Sequence, residues 1–157
     1  FDIHKNKLSL IEKGAKKLGI DIIVARECDA RRPDQNLVGK CQKVLCDAPC
    51  SGLGIISKKP DIRYKSPDDF VRLPEIQYEV LSGASEYTAP GGTLVYSTCT
   101  LNPAENGEVC KRFLETHKDF SLQNFTVGGR EYGAMTTLLP HIDGTDGFFI
   151  CRMVRKA

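Results

Sequence analysis

Two short apolar runs, each followed directly by a tract that holds a cysteine, constrain the fold of this chain most. The runs are Lys43–Cys46 and Thr93–Tyr96, and both are typical of buried β-strands. In an α/β sheet, catalytic and ligand-binding groups lie at the carboxyl ends of the strands. The pattern therefore predicts that Cys50 and Cys99, which follow the two runs, share one crevice with the carboxylate of Asp47.

Composition narrows the class of protein. The 157 residues suffice for one domain with a substantial core, and a net charge of +2 means that any nucleic-acid surface must be local. No apolar run approaches the length of a membrane helix, and no secretory signal is present. Seven irregularly spaced cysteines, without a Cys-x-x-Cys pair, argue against a disulfide scaffold or a metal site. We therefore expect no metal and a reducing, cytoplasmic compartment.

Predicted strands and helices alternate along the chain. Residues 51–66 are predicted to form a loop and residues 121–145 a less regular region. This order predicts an α/β sheet with right-handed crossovers. Strands are predicted to end at Asp2 and to span Asp21–Cys28, Lys43–Asp47, Thr93–Ser97 and Gly147–Val154; helices are predicted over Lys5–Leu18, Phe70–Tyr87 and Pro103–His117.

Five segments in a fixed order carry a family resemblance. In this order they resemble the Sun-type RNA cytosine-5 methyltransferases, and in particular the bacterial small-subunit rRNA methyltransferase B group. The resemblance covers nearly the whole chain and implies a class I S-adenosylmethionine-dependent (Rossmann-like) methyltransferase fold. The segments are Asp47-Ala48-Pro49-Cys50-Ser51-Gly52, Pro60-Asp61, Gly91–Thr100, Pro103-x-Glu105-Asn106 and Asp146-Gly147-Phe148-Phe149.

The chain departs from the family pattern at its start. Phe1 and Asp2 match the end of the second strand of such a sheet, so the first strand and its glycine-rich cofactor loop are not represented. We therefore expect residues 1–157 to be the C-terminal portion of a catalytic domain, and we expect activity of the whole enzyme rather than of this portion alone. A sheet without that strand would leave neighbouring edges unpaired, which predicts self-association of this chain.

The resemblance implies roles for the residues of the crevice. Cys99 would attack carbon 6 of cytosine, Cys50 would assist release of the methylated RNA, and Asp47 would hold the base near N3 and border the cofactor. Carbon 5 of cytosine is a poor nucleophile, and thiolate addition at carbon 6 splits one difficult step into two easier ones. The alternative from patterning alone is that both cysteines are small buried apolar residues.

Two further carboxylates are candidate contacts for S-adenosylmethionine. Asp2 stands at the end of a predicted strand, where a carboxylate can accept hydrogen bonds from both ribose hydroxyls. Asp29 resembles the family position that contacts adenine. Each has a structural alternative, because Asp2 could cap the helix that follows it and Asp29 could stabilise a turn.

A basic loop follows Cys50. Residues 58–65 hold four cations, one carboxylate and Tyr64, a mixture that suits phosphate contacts and base stacking. The resemblance implies small-subunit (16S) rRNA as the partner, contacted by Lys59, Arg63 and Pro49. A solvated charged loop is the alternative.

Two other functions remain open from the sequence. DNA cytosine-5 methyltransferases use the proline–cysteine thiol as nucleophile, so in that case Cys50 would attack; the Ser97–Thr100 tract is a feature of the RNA family. The other alternative is a non-catalytic RNA-binding or assembly module that has lost cofactor binding.

Overall fold

The computed structural model describes residues 1–157 as one sheet with helices and a separate small hairpin. None of its helices has the length and apolarity that a membrane crossing requires. The helices are α1 (Lys5–Lys17), α2 (Leu73–Glu86), α3 (Gly107–Thr116) and α4 (Pro140–Asp143); the strands are β1 (Cys41–Asp47), β2 (Thr88–Thr98), β3 (Phe120–Leu122), β4 (Phe125–Val127), β5 (Arg130–Tyr132), β6 (Met135–Leu138) and β7 (Phe148–Arg155).

The main sheet is mixed, with the order β1-β2-β7-β3, and β6 also pairs with β7. β1 and β2 are parallel, and α2 lies in the connection between them, as a parallel pair requires a crossover. β7 runs antiparallel to β2, β3 and β6. The predicted α/β class is confirmed, and the strand after residue 147 lies next to β2.

The core lies on the face of the sheet that α2 and α3 cover. Leu81 of α2 and Phe113 of α3 are fully buried against Leu94, Tyr96 and Met153 of the strands. Burial of each such side chain contributes roughly 1.5–3 kcal/mol relative to exposure. The helices therefore hold β1, β2 and β7 in one rigid layer, whose carboxyl edge carries the two cysteine tracts.

The predicted strand Asp21–Cys28 is wrong. Only an isolated parallel bridge between Asp2 and Glu27 is formed, and Ile22 and Val24 are 86% and 70% exposed. An apolar run becomes a buried strand only where neighbouring strands pair with it and a second layer covers it. Neither condition is met here, so the strand predicted to end at Asp2 is likewise reduced to that bridge.

Other differences concern boundaries and short elements. β2 begins at Thr88 rather than Thr93, and its residues Pro90–Gly92 form an irregularity in the pairing with β1, where Cys41 pairs with Thr88 and Lys43 with Thr93. Residues 121–145 contain strands β4, β5 and β6 and helix α4, which had not been predicted. Strands of three or four residues are too short to show a period-two pattern.

One edge of the sheet is open. β1 pairs with β2 alone, and its Leu45 is 70% exposed. A shallow cavity of about 350 Å³ includes Leu45 in its lining. Its lining residues are Lys43, Val44, Leu45, Thr93, Val95 and Arg152. The open strand edge expected from the sequence is therefore present.

Candidate active site

The sulfur atoms of Cys50 and Cys99 lie 3.3 Å apart. Cys99 directly follows β2, and Cys50 lies three residues beyond the end of β1. Because the parallel register aligns Asp47 with Ser97, the two strands deliver their cysteines to the same edge. The predicted proximity of the two thiols is thus seen in the structure, while their chemical roles remain to be tested.

The environment of Cys50 keeps its thiol protonated. Burial, followed by the hydrogen bond with Cys99, raises the pKa of Cys50 to about 12. Both cysteines are nevertheless half-buried rather than enclosed. At neutral pH, Cys50 is therefore a thiol whose proton can be donated to the neighbouring sulfur of Cys99.

Asp47 and Pro49 complete what we call the cysteine cluster, namely Asp47, Pro49, Cys50 and Cys99. Asp47 and Pro49 are exposed at the sheet edge. An Asp47 carboxylate oxygen accepts a hydrogen bond from the Ser97 hydroxyl at 3.2 Å. The cluster therefore combines an exposed carboxylate with two partly buried cysteines.

Two glycines allow three loops to stack behind the cysteine cluster. The Gly54 amide donates to the Cys99 carbonyl at 3.0 Å, and the Gly54 carbonyl accepts from the Gly147 amide at 2.9 Å. A Cβ atom at Gly54 would lie only 2.1 Å from the Gly147 carbonyl oxygen. The glycine of the Asp146–Phe149 segment thus supports the Cys99 loop, while Phe149 belongs to the core.

Asp2 and Asp29 lie together at the Asp2–Glu27 bridge. Asp2 accepts a hydrogen bond from the His4 amide at 2.8 Å, which lowers the Asp2 pKa. The Arg31 guanidinium binds both oxygens of Asp29 and lowers its pKa. Both side chains are 24% exposed. The chemistry of the site therefore fits hydroxyl or amino donors, although no hydrogen bond or ion pair joins this pair to the cysteine cluster.

The basic loop contains a 3₁₀ helix at Pro60–Tyr64. Lys59 and Arg63 are exposed and take part in no ion pair, and Tyr64 is 85% exposed. Lys58, in contrast, is paired with Asp146. Lys65 is likewise exposed and unpaired, so three cations and an aromatic ring remain available to a ligand.

The sequence-based site omitted residues that lie beneath the cysteine cluster. Ser51, Gln77 and Thr100 are buried beside Glu105. Glu105 lies in a 3₁₀ turn before α3 and is fully buried. A hydroxyl residue directly after each cysteine was a usable signal; nothing local marked Gln77.

Comparison with known proteins identifies relatives. Residues 1–154 match the family model for 16S rRNA methyltransferase RsmB/F. A protein of Bacillus subtilis named probable ribosomal RNA small subunit methyltransferase B is 43% identical, over 99% of this chain and 37% of that protein. Its Synechocystis namesake is 36% identical, over 97% of this chain and 36% of the relative. The chain therefore spans slightly more than a third of the length of these curated relatives.

Solved structures agree with the fold. NSun6 from Pyrococcus horikoshii, in a structure with SFG, matches with a TM-score of 0.83 and 30% identity, over 99% of this chain and 40% of that chain. A methyltransferase homologue from the same organism matches with a TM-score of 0.79 and 29% identity, over 99% of this chain and 52% of that chain. The predicted class I methyltransferase fold is confirmed.

The raised pKa of Cys50 predicts an unusual pH dependence of alkylation. Because only the thiolate reacts, Cys50 should react with iodoacetamide at pH 8 more than about tenfold more slowly than an unperturbed thiol of pKa about 8.5. Its rate should keep rising through pH 10, as followed by mass spectrometry. Cys99→Ala removes one cause of the raised pKa and should accelerate labelling. A wild-type rate that levels off by pH 9 would contradict this assignment.

Proposed function

We infer what this chain does from the family to which it belongs: it is a member of the 16S rRNA methyltransferase RsmB/F family. These are S-adenosylmethionine-dependent enzymes. We propose that the enzyme containing this chain methylates carbon 5 of a cytosine in small-subunit rRNA through a covalent cysteine intermediate. The observation that carries the proposal is the 3.3 Å approach of two thiols at the sheet edge.

Two thiols suit this reaction because it needs a nucleophile that attaches and later leaves. The Cys99 thiolate adds to carbon 6 of the base, and the displaced ring electrons make carbon 5 nucleophilic. After methyl transfer, the proton on carbon 5 passes to solvent. Its electron pair restores the ring double bond, and the carbon–sulfur bond breaks with its electrons returning to Cys99.

The protonated state of Cys50 supports a different role for each thiol. With its pKa raised to about 12, Cys50 retains its proton at neutral pH. Donation of that S–H to the Cys99 sulfur stabilises negative charge there, both before attack and when the RNA is released. Asp47, exposed beside the thiols, would hold the base edge near N3, where a proton shared between the carboxylate and N3 draws electrons from the ring.

The sequence weighs against the DNA-type assignment, because the Ser97–Thr100 tract around Cys99 is a feature of the RNA family that the DNA family lacks. The adduct experiment below separates the two assignments, because it identifies the cysteine that becomes attached to the RNA. The non-catalytic alternative is disfavoured because structural free cysteines are usually fully buried, whereas Cys50 and Cys99 are both only partly buried.

S-adenosylmethionine would supply an electrophilic methyl group on a sulfonium. Asp2 would accept hydrogen bonds from ribose hydroxyls, Asp29 would contact the adenine, and Asp47 would border the methyl-donor end. Asp29 is engaged by Arg31, so a contact with adenine requires Arg31 to share the carboxylate.

The RNA would lie across the basic loop. Lys59 and Arg63 would contact phosphates, and Pro49 would touch the target base, which must leave its stack to reach the thiols. Their exposure and lack of ion pairs support this role. A ribosomal substrate also supports the cytoplasmic location expected from the cysteines.

The covalent step is tested with 5-fluorocytidine RNA, because fluorine at carbon 5 blocks release and traps the adduct. We expect the full-length enzyme with cofactor to give a protein–RNA band on a denaturing gel. Cys99→Ala should abolish this band and Cys50→Ala should retain it. Loss in Cys50→Ala alone would reverse the two roles, and absence from every lane would refute the proposed chemistry.

The binding residues are tested by two pairs of variants that serve as each other's control. The double variant Asp2→Asn/Asp29→Asn should bind S-adenosylmethionine at least tenfold more weakly in calorimetry of the full-length enzyme. Its affinity for RNA should stay unchanged. The double variant Lys59→Ala/Arg63→Ala should bind RNA more weakly and keep its affinity for S-adenosylmethionine. The slope of log RNA affinity against log salt concentration should become less steep by about 2. Equal effects of both pairs on both ligands would refute the assignment.

Self-association through the open edge is the last part of the proposal. The unpaired β1 strand and its exposed Leu45 should draw copies of residues 1–157 together. Light scattering should give a mass of at least two chains. Leu45→Lys should restore the monomer, whereas Val71→Lys, at an exposed position outside the sheet, should not. A monomeric wild type would refute the idea.

A further inference from the structure

A buried polar cluster lies directly beneath the two thiols. The Glu105 cluster consists of Ser51, Gln77, Thr100, Asn102 and Glu105. Gln77, Thr100 and Glu105 are 0% exposed, and Ser51 is 2% exposed. Burial of so many polar groups is costly unless every one is matched by a partner, so their arrangement calls for a reason.

Every hydrogen-bond neighbour of the Glu105 carboxylate is a donor. One oxygen accepts from the Ser51 amide at 2.8 Å and the Gln77 amide group at 3.0 Å. The other accepts from the Ser51 hydroxyl at 2.6 Å and the Asn102 amide group at 3.0 Å. No cation pairs with Glu105. Four donors and no acceptor define a site that only a carboxylate, which accepts at both oxygens, can satisfy.

These contacts determine which hydroxyl group donates in the hydrogen bond between the two cysteine loops. Ser51 gives its only hydroxyl proton to Glu105, so the Thr100 hydroxyl must donate to the Ser51 oxygen, at 2.7 Å. Thr100 in turn accepts from the Asn102 amide at 3.2 Å. The residue after Cys99 is thereby joined to the residue after Cys50.

The backbone is also held on both sides of Cys50. Gln77 donates to the Pro49 carbonyl at 2.8 Å as well as to Glu105, and Glu105 accepts from the Ser51 amide. The peptide groups before and after Cys50 are therefore bound by one Gln77–Glu105 pair from outside its own loop.

We propose that Glu105 is a positioning residue that holds the Cys50 and Cys99 sulfur atoms in contact, acting through Ser51 and Thr100. Its importance for catalysis rests on the function proposed above, but the geometry it maintains does not. Glu105→Gln keeps the shape of the side chain and replaces one oxygen with an NH₂ group. In either amide orientation, two buried donors then face another donor.

The inference is tested by dibromobimane, which becomes fluorescent when it bridges two thiols. The full-length enzyme is labelled without RNA or cofactor, and mass spectrometry assigns the bridge to the Cys50 and Cys99 peptides. Glu105→Gln should slow bridging by about tenfold, the factor that corresponds to about 1.4 kcal/mol of lost hydrogen bonding. Glu108→Gln, the same change at an exposed position in α3, should bridge at the wild-type rate.

Ser51→Ala is a second variant that keeps the test decisive if Glu105→Gln does not fold. It removes the hydroxyl link to Thr100 but keeps the backbone amide bond to Glu105, and it should also slow bridging. Circular dichroism establishes which variants are folded. Wild-type bridging rates in the folded variants would overturn the proposal.

A second readout separates this inference from the proposed function. In the 5-fluorocytidine assay, Glu105→Gln should slow adduct formation at saturating RNA while RNA affinity stays unchanged, a split that general destabilisation would not produce. A wild type that bridges normally but forms no adduct would refute the covalent chemistry alone. Normal bridging in Glu105→Gln, with adduct formation in the wild type, would refute the positioning role alone.

Discussion

The parallel pairing of β1 with β2 is the constraint on which the rest of this structure depends. Its register aligns Asp47 with Ser97, so that both strands end at one edge and release their cysteine loops side by side. A shift of one residue would turn Leu94 and Tyr96 away from the helices that bury them. Core packing and the geometry of the thiols are therefore consequences of the same alignment.

Strand pairing alone brings the loops near each other, and buried polar contacts then determine how the loops meet. Glu105 binds the loop after Cys50, and Gly54 approaches the loop after Cys99 closely enough that no side chain fits there. Such contacts contribute to the position of reactive atoms more than to stability, since a buried carboxylate must first be compensated for desolvation. The arrangement suits a site in which two sulfur atoms must stay in contact.

Sequence patterns predicted the central elements well and the margins poorly. β1, β7 and the two covering helices α2 and α3 were found within a few residues of their predicted bounds, because each carries a strong apolar period and packs against the others. β2 was found at its predicted place but begins at Thr88, five residues before the predicted start. The run Asp21–Cys28 has equally apolar residues but gains no strand neighbour beyond Asp2, and it does not form a strand. In the candidate site, the meeting of Cys50 and Cys99 was predictable, whereas the part played by Gln77 was not.

The sequence by itself determined the fold class, the family and the two strand ends that carry the cysteines, since these depend on local patterns and on motifs adjacent in the chain. Only the tertiary structure decided the distance between the sulfur atoms, the protonated state of Cys50 and the acceptor role of Glu105. Each of these arises from groups tens of residues apart, whose burial and hydrogen bonds exist only after packing. Local sequence does not predict which distant groups will become neighbours, because desolvation and hydrogen-bond direction are properties of the folded site.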